Sequence, residues 1–139
     1  MALGTGEMAV YLWIAVGSAL GGIARFWCSG IIARLFGETF PWGTLIVNVS
    51  GSFLIGVVAA LTVPEGRILV GSTARLAVMA GLLGGYTTFS SFSLQTLALM
   101  QDGQWWPALA NIALSVVACL IAVWAGYALA AYVNALRWV

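Results

Sequence analysis

The sequence predicts an all-α integral membrane protein with four transmembrane helices, and three observations carry that prediction. Hydrophobic residues make up 63% of the 139-residue chain, charged residues only 6%, and the mean hydropathy is +1.06. A typical soluble domain carries about 25% charged residues. The apolar residues form four segments, each at least as long as the roughly 20 residues that an α-helix needs to cross a bilayer. We therefore expect residues 1–139 to form one four-helix membrane domain.

The first apolar segment runs from about Met8 to Leu35. Gly17 and Gly21 lie one helical turn apart in it, and small residues at this spacing let two helices pack closely. Arg25 follows one turn later, and the sequence leaves two interpretations open: its side chain faces a bundle interior or aqueous cavity, or it reaches a lipid headgroup from near the helix end. The residues up to Glu7 lack the basic residues of a signal peptide, and the sequence does not decide their structure.

Gly37 and Pro41 separate the first segment from the second, because glycine favours a helix C-cap and proline favours the first turn of a new helix. The second segment runs from about Gly43 to Val63 and carries Asn48 and Ser52 on one helical face. An asparagine in a membrane helix either bonds a neighbouring helix or lines a polar path. The spacing by itself favours the bond to a neighbouring helix.

The third segment, from about Ile68 to Met100, is too long for one straight span. Glycines, hydroxyl residues and two phenylalanines interrupt its apolar pattern in the stretch Gly84-Gly85-Tyr86-Thr87-Thr88-Phe89-Ser90-Ser91-Phe92-Ser93. In hydrocarbon such an interruption is tolerated only where the backbone is buried in protein or lines a wet cavity. We therefore predict two half-helices with a break from Gly84 to Ser93. Phe89 and Phe92 fall on one face of the second half-helix, a spacing that ordinary aromatic packing also explains.

The turn Asp102-Gly103-Gln104 leads into the fourth segment, which runs from about Trp105 to Tyr132. Asn111, Ser115 and Cys119 form a mildly polar stripe on this segment, a pattern typical of bonds between packed helices. Four spans place both termini on one side of the membrane. Three arginines fall on the terminal side, Arg67, Arg75 and Arg137, and Arg34 falls on the other. This small excess is only a weak signal for the orientation of the chain in the membrane. Such nearly balanced charge permits insertion in both orientations and hence an antiparallel homodimer.

The residue types that are absent exclude several functions. The chain has no His and no Lys, and its four acidic residues all fall in termini or turns. A coupled transporter usually holds its ion with an intramembrane carboxylate or His, so a small multidrug-type transporter remains only as the alternative hypothesis. There is no pair of groups suited to acid–base or nucleophilic catalysis, so we expect no enzyme, and the net charge of +1 does not suggest nucleic acid. Amides, hydroxyls, a guanidinium and electropositive ring edges together suit a small anion, whereas carbonyls freed at the break suit one cation.

Three stretches are similar to the Fluc (CrcB) fluoride channels: the break just described, Gly43-Thr44-Leu45-Ile46-Val47-Asn48, and Ala24-Arg25. The similarity covers all four segments in the same order and spacing. It implies a dual-topology homodimer with two antiparallel pores in the plasma membrane of a prokaryote, surrounded by lipid. It further implies passive, fluoride-selective export that lowers the toxicity of cytoplasmic fluoride.

The same resemblance implies roles for individual residues. Phe89 and Phe92 would meet fluoride with their ring edges, Asn48 would be the pore-facing amide, and Arg25 would lie in the entry vestibule. The carbonyls of Gly84 and Thr87, from both subunits, would hold a structural sodium ion. Hydroxyl groups would complete the anion pathway: Thr88, Ser90, Ser91 and Ser115.

Two positions depart from the family pattern. Many members have Glu where this chain has Gln95, and an amide there donates hydrogen bonds but carries no charge. Many members also have an aromatic residue where this chain has Asn111, and the smaller polar side chain is expected to loosen or rewire the vestibule. We place Gln95 in the anion pathway and expect a working channel.

Overall fold

The computed structural model describes residues 4–63 and 68–136, and within those ranges every regular element is a helix. Arg67 and Arg137, used above to compare the two sides of the membrane, lie outside the described residues, as do residues 1–3. The predicted all-α class is confirmed. We number the helices in chain order: α1 is Thr5–Phe36, α2 is Trp42–Leu61, α3 comprises residues 72–86, α4 is Phe89–Gln101 and α5 is Trp105–Ala135.

Three of these helices, α1, α2 and α5, are long and apolar enough to cross a membrane. The chain is therefore a multi-pass membrane protein, as predicted. Helix α1 has 32 residues, about 48 Å at 1.5 Å per residue, which exceeds the roughly 30 Å of a bilayer's hydrocarbon core. It begins at Thr5, earlier than the predicted Met8, because the Glu7 carboxylate accepts a hydrogen bond from the Gly4 amide at 3.1 Å and caps the first turn.

The turns lie at the glycine and proline positions where the sequence predicted them. Gly37 has φ of +82° and its amide bonds the Ala33 carbonyl at 2.8 Å, which ends α1. Helix α2 begins directly after Pro41. Gly103, with φ of +73°, turns the chain between α4 and α5. Three predicted ends were wrong by a few residues: α2 stops at Leu61, α5 continues to Ala135, and α3 begins at Ser72 rather than Ile68 because Gly71 is extended.

The close packing of α1 on α3 depends on glycine. A Cβ atom added to Gly21 would overlap the Leu82 carbonyl oxygen, and one added to Gly17 would lie 2.6 Å from the Ala77 carbonyl oxygen. The α3 face that α1 meets is a π-helical stretch, Ala77–Leu83. The backbones therefore touch with no side chain between them, which confirms the packing interpretation of the α1 glycines.

Helices α2 and α5 form the second tight pair. An added Cβ at Gly126 would overlap the Phe53 carbonyl oxygen, and one at Gly56 would overlap the Val123 carbonyl oxygen. Helix α4 packs mainly on α5. These two close pairs, α1 with α3 and α2 with α5, hold the link between α3 and α4 beside the middle of α2, where Asn48 lies.

Candidate functional site

The chain leaves helical geometry at two residues between α3 and α4. Helix α3 ends at Tyr86, Thr87 and Thr88 are extended with ψ of 159° and 116°, and α4 begins at Phe89. The predicted break from Gly84 to Ser93 was therefore too long, since both of its ends are helical. The break stays short because side chains satisfy the backbone groups that it exposes.

Asn48 makes the hydrogen bonds to both backbone groups of Thr88. Its Oδ1 accepts the Thr88 backbone N–H at 2.7 Å, and its Nδ2 donates to the Thr88 carbonyl at 2.9 Å. Because an amide N–H must meet an oxygen, this pairing also fixes which end of the Asn48 side chain is the NH₂ group. One of the two Nδ2 hydrogens remains for another partner. Asn48 thus bonds a neighbouring segment, as its spacing favoured, and keeps a donor to spare.

Thr88 caps the start of α4. Its Oγ1 accepts the Ser91 backbone N–H at 3.2 Å and donates to Ser91 Oγ at 3.1 Å. Ser90 Oγ lies 3.3 Å from the same oxygen. Since Ser91 Oγ receives the Thr88 proton, its own hydrogen is available to a further acceptor.

These two interactions redirect backbone donors that a continuous helix would use elsewhere. In an α-helix the Thr88 N–H would bond the Gly84 carbonyl, and the Ser91 N–H would bond the Thr87 carbonyl. Here the Thr88 N–H bonds Asn48 and the Ser91 N–H bonds the Thr88 hydroxyl. The Gly84 and Thr87 carbonyls therefore lose their regular helical donors.

Throughout the described part of the chain, no three His, Cys, Asp or Glu side chains come together as a metal cluster.

Thr88 lines two cavities. The first has a volume of about 850 Å³ and lies between α1, the turn after it, and α4. Its lining includes Arg25, which is half-buried, together with Ser91 and Gln95. The exposed carboxylate residues at its edge are Glu38 and Asp102.

The second cavity, of about 450 Å³, lies between α2, α4 and α5, and its lining includes Asn48, Phe89, Phe92 and Ser115. The two phenylalanine rings are tilted by 52° with centroids 5.2 Å apart. Phe92 is buried, whereas the Phe89 ring is 77% exposed at the open side of the cavity. Aromatic ring edges are electropositive and an amide NH₂ group donates hydrogen bonds, so the rings and the Asn48 amide carry groups that can stabilise an anion.

The structure thus separates the predicted residues into groups. Arg25, Ser91 and Gln95 line the first cavity, and the remaining lining residues share the second cavity. Ser90 and Gly84 line neither cavity. Asn111 also lines neither; it is 2% exposed and donates to Thr96 Oγ1 at 2.8 Å, so its stripe on α5 does bond a packed helix.

Several polar contacts between helices were missed at the level of sequence. Thr96 joins α4 to α5 through Asn111, and Tyr86 Oη lies 3.1 Å from Ser50 Oγ, joining α3 to α2. Thr96 lies one helical turn after Phe92, and this spacing could have identified it as a residue on the same face of the helix. No sequence spacing links Tyr86 to Ser50.

Comparison with known proteins shows the family to which the chain belongs. A family model described as CrcB-like protein, Camphor Resistance (CrcB), matches residues 12–127. The chain belongs to the CrcB family. The family resemblance seen in the sequence is thereby confirmed.

CrcB relatives match this chain over nearly its whole length. A protein of Opitutus terrae is 59% identical over 130 residues, covering 94% of this chain and 98% of its own. A protein of Methylocella silvestris is 61% identical over 127 residues, covering 91% and 97%, and one of Rhodospirillum rubrum is 55% identical over 124 residues, covering 89% and 96%. Each of the three is named a fluoride-specific ion channel, FluC.

Proposed function

We propose that this CrcB chain is a fluoride-selective channel through which fluoride leaves a prokaryotic cell passively across the plasma membrane. The observation that carries the proposal is the Asn48–Thr88 pairing. It holds an amide with one remaining N–H in the same cavity as the Phe89 and Phe92 rings. The names of the close relatives describe a channel rather than an enzyme, in agreement with the expectation from the sequence.

The two cavities suggest the route of the ion. Fluoride would enter the first cavity, where Arg25 and the Ser91 hydroxyl donate, and pass Thr88 into the second. A filter must replace the hydration shell that it strips from its ion, and fixed donors serve an anion in that role. Gln95 keeps an amide in this path. Its buried Oε1 has no hydrogen-bond partner among the described residues, so turning the amide about its last bond brings the NH₂ group to the same place.

We propose that α3 and α4 together form the third of four membrane crossings in chain order, broken at Thr87 and Thr88. Helix α4 has 13 residues, about 20 Å, which is too short to span the roughly 30 Å core alone. In hydrocarbon the extended residues need protein around them, and α2 supplies it through Asn48. The crossing would then carry the polar break at mid-depth.

We also propose that the working unit is an antiparallel homodimer with two pores. Helix α1 leaves large side chains uncovered, among them Phe26 at 84% exposure and Trp27 at 66%. The Phe89 ring is exposed at the open side of the second cavity, so a second copy would supply the missing wall. The nearly balanced arginines permit both orientations in the membrane.

The proposed sodium site rests on the carbonyl oxygens of Gly84 and Thr87. Both have lost their regular helical donors, and carbonyl oxygens of unwound backbone are suitable ligands for Na⁺. These residues therefore fit a cation held by backbone alone. When bound, the ion would neutralise the partial negative charge of these carbonyls and hold the breaks of two subunits together.

Removal of sodium provides a test of this site. Exchange of Na⁺ for N-methylglucamine during purification and reconstitution is expected to lower fluoride efflux about tenfold or more, because paired breaks without the ion leave carbonyls facing one another in a medium where each uncompensated polar group costs about 1–3 kcal/mol. Efflux is followed with a fluoride electrode. Equal efflux in the two cations would contradict the sodium proposal without touching the proposed transport.

The proposed function itself is tested by ion efflux from liposomes that contain the purified protein. Rapid fluoride release is expected, with chloride release no faster than from protein-free liposomes, because donors held at fixed positions replace the hydration shell of an ion of one size better than that of another. Equal fluoride and chloride efflux would defeat selectivity. Uptake of a cationic dye driven by a proton gradient would instead favour the small multidrug-type alternative.

A further inference from the structure

A buried polar network joins α4 to α5 next to two residues that line the second cavity, Phe92 and Ser115. Asn111 on α5 and Thr96 on α4 are 2% and 6% exposed. Burying an amide or hydroxyl group without partners costs about 1–3 kcal/mol in proteins. The two side chains therefore need each other, and neither touches the proposed route directly.

The hydrogen bonds of this network have only one consistent direction. Thr96 Oγ1 donates its single proton to the Phe92 carbonyl at 2.7 Å. It can then only accept from Asn111, whose Nδ2 lies 2.8 Å away. The Asn111 Oδ1 consequently faces Ser115, whose hydroxyl donates to it at 3.5 Å.

One amide therefore connects two walls of the second cavity. Through Thr96 it is linked to the backbone of Phe92, which fixes the height and rotation of α4 against α5. Through its oxygen it accepts the Ser115 hydroxyl proton along α5. Both Phe92 and Ser115 line that cavity, whereas Asn111 and Thr96 do not.

We propose that Asn111 and Thr96 are positioning residues that set the placement of the Phe92 ring and the orientation of the Ser115 hydroxyl, and so determine anion selectivity. This inference rests on the proposed function. Misplacement of a binding group by about 1 Å lowers a rate by up to about a hundredfold in enzymes, and a filter that replaces a hydration shell is similarly sensitive to distance. The network is specific to a chain that has a small amide at position 111.

The decisive variant is Thr96→Val combined with Asn111→Leu. Replacing both partners of a buried hydrogen bond by apolar groups of similar shape is nearly neutral for stability, so the double variant is expected to elute like the wild type from size exclusion. Its ratio of fluoride to chloride efflux is expected to fall about tenfold, since the Phe92 ring loses its fixed position. Thr96→Ser keeps the hydroxyl and is expected to retain the wild-type ratio.

A wild-type efflux ratio in the double variant would overturn the inference, because the bond would then serve packing alone. Asn111→Ala, which leaves room for a water molecule, gives a second variant in case the double one does not assemble, and a wild-type ratio there also overturns it. Absence of fluoride efflux from the wild-type protein in the same liposomes would defeat the proposed function instead. The two failures are therefore distinguishable.

Discussion

Fluoride efflux is expected to fall about a hundredfold when Asn48 is replaced by Leu. The substitution leaves the Thr88 N–H and carbonyl without partners, at about 1–3 kcal/mol for each orphaned group, and it removes the spare amide donor from the second cavity. Asn48→Asp is expected to lose as much despite its nearly identical shape. It would still accept the Thr88 N–H, but it would oppose the Thr88 carbonyl with an oxygen and place negative charge beside the anion.

Ser52 provides the matched control for Asn48. It lies one turn further along α2 and lines the same cavity, but it makes none of the bonds to the break. Ser52→Ala is expected to keep efflux within about twofold of the wild type, since the Ser52 hydroxyl holds neither backbone group of the break and its loss orphans no buried partner. If Asn48→Leu and Ser52→Ala conduct equally well in liposomes, the pairing with Thr88 is not what holds the conducting structure.

Gly21→Ala is expected to destabilise the protein strongly, although it adds only one methyl group. That methyl would overlap the Leu82 carbonyl oxygen and lie 2.7 Å from the Tyr86 nitrogen, so α3 must move away from α1. Overpacking of this kind costs about 1–3 kcal/mol or more. Because the displaced residues directly precede Thr87, the variant is also expected to lose most fluoride efflux.

Gly22 provides the matched control for Gly21. An added Cβ at Gly22 would meet only the tip of the Arg25 side chain, at 3.9 Å, which is ordinary contact. Gly22→Ala is therefore expected to match the wild type in efflux and in the temperature at which it aggregates in detergent, whereas Gly21→Ala aggregates about 5–10 °C lower. Similar behaviour of the two variants would show that α1 does not press on α3 as closely as the structure places it.

Local features were predictable because local chemistry determines them. Composition and segment length establish a multi-pass membrane protein. Gly37, Pro41 and Gly103 mark the turns because their backbone preferences hold wherever they occur. The spacing of Gly17 and Gly21 indicates a packing face, although it does not say that the partner surface would be a π-helical stretch of α3.

The break shows where sequence stops being sufficient. Its composition predicts an interruption, but the length of that interruption depends on Asn48, which lies 40 residues earlier and reaches both backbone groups of Thr88. Sequence spacing likewise placed Asn111 on a polar stripe, but it did not show that the Asn111 amide donates a hydrogen bond to Thr96. Composition, spacing and turn residues alone therefore determined the membrane class, the turns and the polar centre. The extent of the break, the two cavities that Thr88 lines and the carbonyl released at Gly84 were decided by tertiary structure, because each depends on contacts between segments that are distant along the chain.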